Sequence, residues 1–101
     1  MSEGVLLTLR FDKPGFFVND ARVTVDLNGE RIYDGSFLSG FEVSRSVLPG
    51  EHWADFAIEF GPLRRTRRYR IAVPSSRGLV ATVRYSRMWG NFKKQPLYAP
   101  Y

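Results

Sequence analysis

Five arginines stand within seven residues, Arg64-Arg65-Thr66-Arg67-Arg68-Tyr69-Arg70, and Lys93-Lys94 lies further along the chain. A guanidinium is a planar fork of donors that matches phosphate oxygens in pairs. The run therefore has the chemistry of a nucleic-acid or other polyanion site, with Tyr69, Trp89 and Phe92 as rings on which unpaired bases would stack. A structural reading stands beside it: a polar loop leads into a strand whose outward arginines pair with acids elsewhere in the chain. Like charges this dense repel one another, so an anion of one kind or the other is required beside them. The run has no glycine-rich phosphate cradle, no zinc ligands and no glycine-aromatic pattern of RNA-recognition strands, so the anion chemistry it specifies is general.

Other constellations lead nowhere. Asp26, Asn28, Glu30 and Asp34 are close in sequence but lack the register of a calcium loop, and a tight hairpin accounts for Asn28-Gly29 without an ion. His52 follows Glu51 just after Pro49-Gly50, and Ser36, Ser39, Ser44 and Ser46 offer hydroxyls. With no Gly-x-Ser-x-Gly elbow and no second histidine, these form no catalytic set, and an exposed turn position is expected for His52. The chain contains no cysteine. That removes disulfides, thiolate nucleophiles and cysteine-bearing zinc centres. No enzymatic activity, cofactor or metal is expected.

The net charge of +5 hides a segregation of sign. All ten acids lie in residues 1–60, while residues 61–101 hold ten bases and no acid. Such a chain has either a basic surface for an anionic partner or two oppositely charged regions that face each other. At 101 residues it has room for one core and none for a deep cofactor cavity. A hydrophobic fraction of 44% gives it enough apolar surface to fold. No apolar run approaches the length of a membrane helix. Met1-Ser2-Glu3-Gly4 lacks the basic and apolar regions of a secretory signal, so a cytoplasmic location is expected.

Period-two alternation defines the elements that must carry these residues. Val5 to Phe11 reads as a first strand that stops at the turn Asp12-Lys13-Pro14-Gly15. Arg22 to Leu27 places Val23, Val25 and Leu27 on one face, and Asn28-Gly29 supplies the two positive φ values of a hairpin returning through Glu30 to Tyr33. Phe41 to Val47 alternates again, then Trp53 to Phe60, which Gly61-Pro62 breaks. Arg68 to Val73 sets Tyr69, Ile71 and Val73 inward, and Leu79 to Tyr85 is the last clear strand. No window carries a capped 3.6-residue stripe. The expectation is an all-β fold, a small antiparallel two-sheet β-sandwich of six to eight strands, with a small β-barrel as the alternative. Residues 1–87 form the domain, and 88–101 form an aromatic-rich tail that packs on it or on a partner subunit.

Two stretches, Val23-Thr24-Val25-Asp26-Leu27-Asn28-Gly29-Glu30 and Val47-Leu48-Pro49-Gly50-Glu51-His52, resemble the paired turns of small bacterial PEGA-like and transthyretin-like β-sandwich modules. The resemblance implies a non-catalytic scaffold or adhesion module and transfers no binding residues. The expected function is a non-enzymatic protein-interaction or scaffold domain. It would self-associate through Met88, Trp89, Phe92, Leu97, Tyr98 and Tyr101 into a homo-oligomer. The alternative is a basic nucleic-acid or other polyanion binder using Arg64, Arg65, Arg67, Arg68, Arg70, Lys93 and Lys94.

Overall fold

A strand whose side chains alternate has one apolar face, and a sheet of such strands must cover that face with a second sheet. The structure, a computed structural model, describes residues 4–12, 20–75, 77–86 and 91–100. In chain order the strands are β1 (Val5–Phe11), β2 (Arg22–Leu27), β3 (Glu30–Ser36), β4 (Phe41–Val47) and β5 (Gly50–Phe60). They continue as β6 (Leu63–Val73), β7 (Leu79–Val83), β8 (Tyr85–Ser86), β9 (Asn91–Phe92) and β10 (Leu97–Pro100). One sheet has the order β10-β7-β1-β4, the other β3-β2-β5-β6, and β8 and β9 make a two-stranded ribbon. The fold is an all-β two-sheet sandwich, and neither sheet closes into a barrel. The first sheet is mixed rather than purely antiparallel, because β1 runs parallel to β7, with Leu7 beside Leu79 and Phe11 beside Val83.

Local turn chemistry places the hairpins. Asn28 takes φ 51° and Gly29 φ 87°, the left-handed pair that the Asn-Gly turn requires. The longest hairpin joins β5 to β6 through Gly61-Pro62, with Phe60 opposite Leu63 and Gly61 at φ 56°. Here the structure corrects the sequence reading twice. Strand β6 starts at Leu63, not Arg68, because nothing between Gly61-Pro62 and Tyr69 breaks an extended backbone, and an edge strand accommodates charged side chains on both faces. Strand β5 likewise starts at Gly50, so His52 lies in a strand and is half-buried. Its Nε2 donates to the Leu48 carbonyl at 2.7 Å, and its Nδ1 accepts from the Asn28 amide at 2.8 Å. The Asn28 side-chain oxygen also accepts from the Trp53 N–H at 2.9 Å, so the histidine fastens the β2–β3 turn to the start of β5.

The core between the sheets is aromatic, with Phe11, Phe37, Phe56 and Phe92 fully buried beside Leu7, Leu9, Val23, Ile58 and Ile71. Each such side chain contributes about 1.5–3 kcal/mol relative to exposure. Phe37 reaches the core from the loop after β3, held there by Asp20. The Asp20 carboxylate accepts from the Ala21 N–H at 2.8 Å, the Leu38 N–H at 2.9 Å and the Ser36 hydroxyl at 2.5 Å. The Ser36 bond first, then those from Leu38 and Ala21, hold its carboxyl below the ordinary carboxylate value of 3.8. Asp34 is lowered as well, mainly by its hydrogen bond from Arg22.

A depressed carboxyl stabilises the fold above the unfolded value and ceases to do so as pH falls through the folded one. Thermal stability is therefore expected to hold down to about pH 4 and to fall below it. Asp20→Asn should flatten that acid limb; a variant whose melting temperature drops just as steeply below pH 4 would refute the role of Asp20.

Candidate polyanion-binding cleft

Alternation along β6 divides the arginine run between its two faces. Tyr69, Ile71 and Val73 are buried, so Arg65 and Arg67 share their side of the strand, and Arg64, Arg68 and Arg70 occupy the other. The second group lies opposite the carboxylates of β5. Arg68 holds Asp55 with two bonds, at 2.7 and 3.2 Å, and its guanidinium lies 5.2 Å from the centre of the Trp53 ring. Arg64 sits 4.0 Å from Glu59 and Arg70 3.6 Å from Glu51. Asp55 raises the Arg68 pKa still further above its ordinary value. On the same outer face Arg22 grips Asp34 at 2.6 and 2.9 Å, and Arg31 meets Asp26. Five arginines thus face five carboxylates. The pairs are exposed and screened by water, so each contributes little to stability, yet together they leave this face close to neutral.

Arg65 and Arg67 point the other way, past the end of the inter-sheet core. The β8–β9 ribbon crosses there and is tied to β6 by side chains. The Asn91 amide donates to the Thr66 carbonyl at 3.1 Å, Arg67 Nε to the Phe92 carbonyl at 3.3 Å, and the Tyr69 hydroxyl to the Lys93 carbonyl at 2.5 Å. The Lys93 N–H donates to the Arg84 carbonyl at 2.7 Å. Burial pushes the Tyr69 hydroxyl above its ordinary pKa, with Arg67 pulling weakly the other way, so the hydroxyl stays a donor.

Between β6 and the ribbon lies an open cleft of about 510 Å³ lined by Arg65, Arg67, Lys93 and Lys94 together with Ser86, Asn91 and Phe92. No carboxylate lines it among the described residues. Both walls come from residues 61–101, where the sequence has no acid. None of these four cations forms an ion pair among the described residues.

The structure therefore brings together four of the seven basic residues singled out in the sequence and sends Arg64, Arg68 and Arg70 elsewhere. Two of the rings expected to stack on bases are not available. Phe92 is 1% and Tyr69 3% exposed, both inside the core. Of the tail residues expected at an interface, Leu97 and Tyr98 lie on β10, which pairs antiparallel with β7, and are 52% and 48% exposed. Met88, Trp89 and Tyr101, like positions 13–15 of the first expected turn, lie outside the described residues. Ser86 and Asn91 were missed in the sequence, where neither carries a recognisable signal. The split of the arginines had one: the inward parity of Tyr69, Ile71 and Val73, carried two turns of the pleat back, reaches Arg67 and Arg65.

Compared with models of protein families, with curated proteins and with solved structures, the chain matches none of them.

Proposed function

We propose that this protein is a non-enzymatic binding domain that takes a polyanion in the cleft between β6 and the β8–β9 ribbon. The observation that carries the reading is the convergence of Arg65, Arg67, Lys93 and Lys94 in one concave site with no carboxylate among its described lining residues. Four cations without an ion-pair partner among the described residues focus a positive field in the cleft, which draws in anionic ligands, and a bound anion offsets the repulsion among them. The other arginines of the run have intramolecular partners and need no ligand.

Self-association is a second reading, favoured by one observation. Of the four strands at the edges of the two main sheets, β3, β4 and β6 carry charged residues, whereas β10 (Leu97–Pro100) carries none and exposes Leu97 and Tyr98. An uncharged edge lacks the most common safeguard against pairing with another chain.

Salt separates the two. Binding of mixed DNA and RNA through the cleft is expected to weaken steeply with ionic strength, whereas an apolar contact at β10 should be almost indifferent to it. Absence of any salt-sensitive binding to either nucleic acid or a sulfated polysaccharide would refute the polyanion reading. Sedimentation of the same samples as monomers at every concentration would refute self-association.

A further inference from the structure

We propose that the ligand of the cleft is a single nucleic-acid strand, held through its phosphates alone, with the bases turned outward and their sequence unread. The inference rests on the polyanion reading and follows from what the cleft can and cannot offer a nucleotide. Base stacking needs an exposed ring, and among the described residues at the cleft Phe92 and Tyr69 are packed away, Phe92 making edge contacts with Phe11 and Phe56 at ring separations of 5.5 and 5.4 Å. Telling all four bases apart needs acceptors as well as donors, because the amino groups of cytosine and adenine only donate. The Asn91 amide is already committed at both ends, its nitrogen to the Thr66 carbonyl at 3.1 Å and its oxygen to the Phe92 N–H at 2.8 Å.

What remains among the described lining residues is Arg65, the outer nitrogens of Arg67, the ammonium groups of Lys93 and Lys94, and the Ser86 hydroxyl. All can donate, and a phosphate oxygen only accepts. Arg65 and Arg67 are two residues apart on one face of a strand, which sets their Cα atoms about 6.8 Å apart. That spacing is similar to the step between neighbouring phosphates of an extended single strand, so each arginine meets one. A duplex carries its phosphates on a broad convex cylinder and would reach the rim of the cleft without entering it.

The test uses the full chain with short labelled oligonucleotides of mixed sequence, homopolymer strands, a duplex of equal length and a sulfated polysaccharide. Single strands of different sequence are expected to bind within about twofold of one another, with a log–log salt slope near −3 if four phosphates are neutralised at about 0.7 each. The duplex should bind more weakly. Arg65→Gln should reduce the slope by about 0.7 and weaken all strands alike, and Lys94→Gln, on the other wall, should do the same. Arg64→Gln, on the opposite face of β6, should leave the slope unchanged. Strong preference for one sequence, or a duplex bound as tightly as the single strand, would overturn the inference while leaving the polyanion reading intact. Binding of the polysaccharide alone would do the same. Failure to bind any of these anions would overturn both.

Discussion

Replacing Phe92 with alanine is expected to lower the stability of the fold by about 3–5 kcal/mol, a large share of what a domain of this size holds in reserve. The ring is 1% exposed and makes edge contacts with Phe11, Phe56 and Tyr85, so its removal leaves a void that several large neighbours cannot fill by small shifts. The residue also sits in the ribbon that forms one wall of the cleft, and its carbonyl receives Arg67 Nε. Loosening the ring therefore loosens the wall, and anion affinity should fall along with stability. Denaturant unfolding of the variant measures the first effect. A loss below about 1 kcal/mol, the size expected of a surface substitution, would show that the ring is not part of the core.

The second large effect concerns the two faces of β6. Arg65→Gln combined with Arg67→Gln is expected to weaken binding of a single strand by at least about a hundredfold, since each lost hydrogen bond to a charged group is worth about 1.5–3 kcal/mol. Arg68→Gln combined with Arg70→Gln removes the same formal charge from the same strand. It should change affinity only a few-fold, through the long-range field that salt screens. Its main consequence falls on Asp55 and Glu51, which lose their partners. Both doubles can be compared in one titration, with far-ultraviolet dichroism to verify that each is folded. Equal losses from the two would mean that net charge alone governs binding and that the cleft has no special part in it.

Much of this architecture was legible because it rests on local chemistry. Val23, Val25 and Leu27 alternate with polar neighbours and are buried as that alternation requires, and Asn28-Gly29 makes its turn wherever the rest of the chain lies. The sandwich itself followed from short alternating runs punctuated by glycine and proline. The extent of β6 was harder to read. Arg64 to Arg68 looks like a loop by composition, and only the pairing with β5, residue against residue from Gly50–Val73 to Phe60–Leu63, makes it a strand. The β8–β9 ribbon and the pinning of Phe37 by Asp20 depend on contacts between distant segments, which no periodicity encodes. For the site, the segregation of acids into residues 1–60 was the informative signal, because the cleft is assembled wholly from the acid-free remainder. The sequence alone offered two fates for the arginines, internal pairing or an external anion. Internal pairing is seen on one face of β6, and the other turns Arg65 and Arg67 to the cleft where an anion is proposed.

The parallel pairing of β1 with β7 also bears on biosynthesis. As the chain leaves the ribosome, β1 emerges ahead of β4 and soon gains it as a neighbour, but the strand that completes its other side appears only after the long β5–β6 hairpin has been made. The sheet containing β1 stays half-built until β7 emerges, while the sheet containing β2 can assemble from consecutive hairpins as they arrive. Contacts so far apart in sequence form slowly, on the millisecond-to-second scale of β-sandwich domains, and the exposed side of β1 is where a nascent chain of this protein is most open to mispairing.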